Sequence, residues 1–408
     1  VIKRAIVGWG LCSLLVLALA PGPGEAIGKS RLSESLVIQN GRLHTMTRGV
    51  IEGGVVLIRN GRIAAFGNAV DVPAGSEVID ASGLDVFPGP IDGFTNLGAA
   101  DIEPENRDHD EASSPLTPHL RITDALNPGN RFIALARKRG ITNVLCAPGE
   151  SNLLSGQSAL IHLSGHGLED MVIKFPVALH GNMGEIPKMY YGAKNRYPST
   201  RMGEAALLRQ TLLNTRAYME MLKQPKPPDR DLKLESLIPV LEGELPLMVR
   251  ANRMDDILTM LRIADEYGIQ LILNHGSDAH RVADRLAARR IPVIVGPFAA
   301  HQMREETARA TLEGPARLAE AGVKFAFQTG DFHHYGELIF QAETAVKHGL
   351  SSEEAWKALT IHPAQIFGVE AELGSLEEGK LANLVIFQGD PLKSVAALKL
   401  IIIQGEIL

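Results

Sequence analysis

Leu247-Met248-Val249-Arg250-Ala251 is an apolar run broken by one arginine, and Ile269-Gln270-Leu271-Ile272-Leu273-Asn274 is a second such run a short distance on. Between them Met254, Ile257, Leu258, Leu261, Ala264 and Tyr267 recur at helical spacing and share one face. Strand, helix, strand in that order is the unit that lays two parallel strands together through a right-handed crossover. The pattern extends both ways. Ile141–Ala147, Val172–Leu179, Val293–Val295 and Lys324–Gln328 read as strands, and Ala279, Val282, Ala283 and Leu286 as a helical face. Ser351-x-x-Glu354 reads as a capping box that opens a helix carrying Trp356 and Leu359. Such alternation predicts an α/β domain with a parallel sheet. Its length favours a (β/α)8 TIM-type barrel over an open, doubly wound sheet. No GxGxxG or GxxxxGK[ST] follows a strand, which argues against a nucleotide-binding fold.

Outside this middle the pattern changes. Leu36-Val37-Ile38-Gln39, Val55-Val56-Leu57-Ile58 and Ile63-Ala64-Ala65-Phe66 are short apolar runs, with Asn40-Gly41 and Asn60-Gly61 as hairpin signals between them. Leu384-Val385-Ile386-Phe387 and Leu400-Ile401-Ile402-Ile403 repeat the pattern at the other end. Two β-rich ends around a different middle predict one small sheet domain built from both termini.

Residues 1–26 read as a leader: Lys3 and Arg4, then the apolar run Leu11–Ala20, then Pro21-Gly22-Pro23-Gly24-Glu25-Ala26. That order is a secretory signal peptide, and the run is too short for stable membrane insertion. The expected compartment is periplasmic or extracellular. If Cys12 leaves with the leader, Cys146 is alone and no intramolecular disulfide forms. The 408 residues carry 41 Lys and Arg against 47 Asp and Glu, a net charge of −6, with no basic block. Such a surface excludes nucleic acid as a partner and leaves a small-molecule substrate as the expectation.

In a parallel barrel, chemistry sits at the C-terminal ends of the strands. The polar residues there are Asp92 and Asn96, His180 and Glu185, Arg250 and Asn252, Asn274 and His275, His301, and Asp331 with His333 and His334. Imidazoles and carboxylates at successive strand ends suit a zinc-type site. The segment from Asp101 to Pro128 is either a substrate lid or a solvated acidic loop. Ser155-Gly156-Gln157 reads as a turn.

Val86-Phe87-Pro88-Gly89-Pro90-Ile91-Asp92-Gly93 leads into the first barrel strand. Thr360-Ile361-His362-Pro363-Ala364 and Leu373-Gly374-Ser375-Leu376-Glu377-Glu378-Gly379-Lys380-Leu381-Ala382-Asn383 lead back out. This framing resembles the amidohydrolase superfamily, in particular its imidazolonepropionase-like branch. Beyond the leader at 1–26, the resemblance implies a β-sandwich shared by 27–87 and 373–408 and a barrel over 88–372. It also implies hydrolysis of non-peptide C–N bonds, in cyclic or linear amides and ureido compounds, by metal-activated water.

The sequence also departs from that family. Where the first strand usually ends in Ile-Asp-x-His-x-His, this chain has Ile91-Asp92-Gly93-Phe94-Thr95-Asn96, and Arg250 stands where the fifth strand brings a histidine. Glu185, in Gly184-Glu185-Ile186-Pro187-Lys188, His275 and Asp331 do match, as metal ligands with Asp331 the general base. They imply one divalent ion, zinc by preference, or none. Arg250 either binds an anionic substrate group or takes over the metal's electrostatic role, paired with Glu185 or Asp331. Alternatively, substitute ligands come from His180, His301, His333 or His334. Two functions follow: a C–N hydrolase with an altered mononuclear site, and a non-catalytic paralogue that binds a ligand or an active relative. Homo-oligomer formation and pairing with a related amidohydrolase both stay open. For the leader, N-terminal sequencing of protein made in a secreting host is expected to begin near Ile27. A chain that keeps residue 1 and partitions with membranes would contradict export with cleavage.

Overall fold

Strands Leu179–Asn182, Leu247–Ala251, Leu271–His275, Val293–Val295 and Phe325–Phe327 lie side by side in chain order, each parallel to the next. Leu154–Gln157 is antiparallel at the edge of this six-stranded sheet. A four-stranded sheet holds Ile91–Thr95 parallel to Asn143–Cys146, followed by Ala159–His162 and Val172–Lys174 antiparallel. These are features of a computed structural model that describes residues 35–298 and 304–408. The leader expected at 1–26 and the candidate His301 lie outside the described residues.

The strands therefore form an α/β fold of two mixed sheets, not the single continuous eight-stranded ring expected from the sequence. Two seams join them. At one, Gly330 N donates to Phe94 O at 3.0 Å. At the other, Ser158 N donates to Ala178 O and Val177 N to Ser158 O, both at 3.0 Å. The expected strand Val172–Leu179 breaks at Phe175-Pro176, because proline has no N–H for a ladder. Ser155-Gly156-Gln157 is part of a strand and not the turn expected there.

Alternation along the strands decides what faces where. Met248 pairs with Ile272 and Ile294 with Ala326, and all four belong to the apolar cluster enclosed by the sheets, together with Ile91, Leu145 and Phe94. Val249, Leu273, Val293 and Phe325 point the other way, into the cluster shared with the helices. Arg250 lies two residues beyond Met248, so it shares the inner face. Its register partners are Asn182 and Asn274. The helix Met254–Tyr267 buries Ile257, Leu261 and Ala264 and stops at Gly268, whose φ of 71° suits glycine at a helix end. The capping box forms, with Ser351 Oγ accepting from Glu354 N at 3.1 Å.

Both termini meet in one eight-stranded sheet, where Leu384–Gln388 pairs antiparallel with Asp85–Pro88. Asn60-Gly61 makes its hairpin turn, with φ of 48° and 74°. Asn40-Gly41 does not; it sits inside Leu36–His44 as a register shift. A buried polar knot ties this sheet to the strands of the middle: Asn383 Nδ2 donates to Asn143 Oδ1 at 3.0 Å, and Asn143 Nδ2 bonds His162 Nδ1 at 3.0 Å.

Asp92 fastens the first seam. It is buried and accepts from Thr329 N at 3.0 Å, Thr329 Oγ1 at 2.5 Å and Phe94 N at 3.3 Å. Burial outweighs those donors and pushes its pKa up to about 7. With an unfolded value of about 3.9, the stability linked to the protonated carboxyl is complete below about pH 4. It is lost as the pH rises to about 7. Asp92→Asn carries no such charge, so it is expected to gain on the native protein by a few kcal/mol (order of magnitude) across that window. Denaturant midpoints for both proteins from pH 4.5 to 8 check this; a constant difference would contradict it.

Candidate functional site

A cavity of about 380 Å3 opens at the C-terminal ends of the parallel strands, lined by Phe94, Asn96, Glu150, Arg250, His275 and Asp331 among others. A larger groove of about 990 Å3 lies at the opposite ends, around Lys174, Gln270 and Lys324. Its charges serve the surface, as in the 3.0 Å pair of Arg289 with Asp265.

Arg250 is 5% exposed and is held by two carboxylates. Its Nη1 lies 2.8 Å from Glu306 Oε1, and its Nε lies 3.2 Å from Glu150 Oε2. Burial works against the guanidinium charge, but Glu150 and Glu306 more than compensate and raise its pKa. Glu306 also accepts from Asn252 Nδ2 at 3.1 Å and from Glu185 N at 2.9 Å. Burial opposes its ionisation too, yet Arg250 and these donors hold its pKa below the ordinary value. Glu150 differs: desolvation dominates and moves its carboxyl upward, with Arg250 opposing.

His275 ends its strand with φ of 66°, in the left-handed region that non-glycine residues seldom enter. Its Nε2 lies 3.4 Å from Glu150 Oε1. Asp331 accepts from His333 N at 2.8 Å and so caps the short turn Phe332–His334, with its side chain 42% exposed. Asn96 Oδ1 accepts from Phe332 N at 2.8 Å, which pins the same turn to the first strand. The phenyl ring of Phe94 lies between two imidazoles, 5.7 Å from the His180 ring and 5.9 Å from the His275 ring. His180 is 3% exposed, and burial pushes its pKa down to about 3, so the ring is neutral.

The structure thus brings Arg250, His275, Asp331 and Asn96 to one cavity and leaves Glu185, His180, His333 and His334 outside its lining among the described residues. Glu185 opens a helix and donates its backbone N–H to Glu306, while its carboxylate acts on Arg250 only through its charge, without forming an ion pair. His333 stacks on Phe332, and His334 pairs with Glu337 at 3.0 Å. Arg250 is buried as expected, but its partners are Glu150 and Glu306 rather than Asp331 or Glu185. The reason is reach. Glu150 lies just beyond Asn143–Cys146, a strand of the other sheet, and Glu306 comes back from the turn Glu305–Thr307. The acidic segment after the first strand keeps Glu103, Glu105, Asp108 and Glu111 in solvent, as a solvated acidic loop would, while His109 and Asp110 reach the mouth. Its His109 O accepts from Gly149 N at 2.7 Å, and its Asp110 accepts from Ser151 Oγ at 2.6 Å.

The implied metal can be tested against these side chains. Among the described residues, no three His, Cys, Asp or Glu side chains are grouped so that they could hold an ion. A phenyl ring and a guanidinium occupy the places that need ligands, and catalytic zinc takes three from the protein. The described residues do not fit the expected set of His275, Asp331 and Glu185 around one ion.

The model of the Amidohydrolase family matches residues 251–408. The crystal structure of an amidohydrolase from Thermotoga maritima MSB8 shares 33% identity and superposes with a TM-score of 0.87, covering 91% of this chain and 99% of that one. Amidohydrolase tasK of Hapsidospora irregularis is 25% identical over 84% of this chain, which spans only 38% of that protein's length. An imidazolonepropionase of Symbiobacterium thermophilum is 25% identical over 86% of this chain and 90% of its own. The chain belongs to the amidohydrolase family.

Removing the guanidinium would leave the buried Glu306 and the half-buried Glu150 without their shared cation. Arg250→Ala is expected to cost roughly 3–5 kcal/mol, as for other broken buried pairs. Adding Glu150→Gln and Glu306→Gln should recover part of that loss. Denaturant unfolding measures both. A single variant as stable as the native chain would show that the pair does not hold the mouth together.

Proposed function

We propose that this chain is a hydrolase acting on a non-peptide C–N bond of a small molecule, a cyclic or linear amide or ureido-type compound. The observation that carries the reading is the convergence of Arg250, Glu150, His275 and Asp331 on one cavity at the C-terminal strand ends. Family membership and relatives named imidazolonepropionase and adenine deaminase support it. In this reading the two sheets act as a (β/α)8-type barrel, with its chemistry at the usual mouth. The order of residues 1–26 supports an exported enzyme, working in the periplasm or outside the cell.

Each residue then has a task. Arg250 receives the carbonyl oxygen of the scissile group and stabilises the negative charge that gathers there. Glu150, its carboxyl moved upward by burial and adjacent to His275, takes a proton from water as the water oxygen bonds to the carbonyl carbon. The same proton passes to the leaving nitrogen as the C–N bond breaks. Asp331, on the exposed side of the cavity, orients polar groups of the substrate.

A second reading, a non-catalytic paralogue that binds a ligand or an active relative, is favoured by one observation: Phe94 fills the space between His180 and His275. A panel of cyclic amides, ureido compounds and N-acyl amino acids, assayed for product amine and for thermal-shift binding, separates the two. Turnover that falls about 10²-fold or more in Glu150→Gln is the expected result. Binding without turnover across the panel would favour the paralogue instead.

A further inference from the structure

We infer that the Arg250 guanidinium is a resident cation in the place where the family resemblance puts a divalent ion, and that this mouth works without metal. The strand register sets its position. Arg250 shares the inner face with Met248 and stands level with Asn182 and Asn274, at the edge of the enclosed apolar cluster that holds Met248, Ile272 and Ile294. Two carboxylates, the donors a hard or borderline cation would need, are already spent on it at 2.8 and 3.2 Å. An ion drawn to those carboxylates would lie beside a group that cannot lose its charge, and like charges at such range repel strongly.

The floor of the cavity agrees with this. Phe94 belongs to the enclosed apolar cluster, and its ring stands against both the His180 and His275 rings. His180 Nε2 is buried and has no hydrogen-bond partner among the described residues, and His275 Nε2 turns to Glu150. An imidazole nitrogen left without a partner in apolar surroundings is costly, and the group packed against the His180 imidazole is the Phe94 ring rather than a second ligand side chain. One residue, Phe94, seals the floor, and another, Arg250, supplies the charge.

The inference rests on the family assignment and not on turnover, so its test reads metal directly. The native full-length chain, purified without chelator and dialysed against zinc chloride, is expected to hold far less than one zinc per chain. Its melting temperature should not move with EDTA. The double variant Phe94→His/Arg250→His removes both the floor and the fixed cation and adds imidazoles beside His180 and His275. It is expected to take up about one zinc per chain, with a zinc-dependent rise in melting temperature. A native chain carrying stoichiometric zinc, whose removal by EDTA lowers the melting temperature, would overturn the inference and leave the C–N reading standing. A folded double variant that gains no zinc would overturn it as well. If the double variant fails to fold, the native readouts decide alone. Loss of hydrolytic activity across the substrate panel would overturn the proposed function but not this inference.

Discussion

A guanidinium removed from water must have its charge met on the spot, and in this protein that requirement organises the mouth. Arg250 draws Glu150 from the loop after one strand and Glu306 from a distant turn. Those two acids then anchor further groups: Glu306 holds Asn252 and the start of the Glu185 helix, and Glu150 stands against His275. Asn252 in turn accepts from Ser277 Oγ at 2.8 Å, which ties in the loop after the next strand. Four loops from separate parts of the chain are thereby held to one charge. Strands set the depth of Arg250, but electrostatics decides which loops close over it.

This arrangement gives the cavity a mixed character. A permanent cation, a carboxyl group whose pKa burial moves upward and an imidazole lie together beside an apolar ring. Such a surface suits a ligand with a polar head and a compact apolar body. It also separates roles that a metal would combine, because the positive charge and the proton-accepting group belong to different side chains. Asp331 stands apart from the ion cluster, capping its own turn with its carboxylate partly in solvent.

Much of this was legible in the sequence, for physical reasons. Leu247–Ala251 and Val293–Val295 were read to the residue, because buried parallel strands are written as short apolar runs. Arg250 stood out because a charge closing such a run must face somewhere. Glu150 falls under the same rule, since it follows the strand ending at Cys146. Glu306 carried no local signal. It sits in an ordinary acidic turn, and only the folded chain brings it within 2.8 Å of Arg250. The strands on either side of Ser158 lie in different sheets, each antiparallel to its own neighbours, and short apolar runs do not announce their direction. The loss of Phe94 and Asn96 as ligands was readable from residue chemistry, while the packing of Phe94 between two imidazoles was not.

The shared terminal sheet has a consequence for how the chain is made. Asp85–Pro88 finds its antiparallel neighbour only when Leu384–Gln388 arrives, with nearly the whole protein lying between them in sequence. Until then one edge of the first sheet offers unpaired backbone groups, the kind of surface on which chains stick to one another. Pairings so far apart also close slowly, since the intervening chain must be ordered first. The last strands therefore act as a clasp. A ribosome-bound or partly translocated chain cannot finish this sheet, and a truncation before residue 384 would leave the exposed edge in place for good.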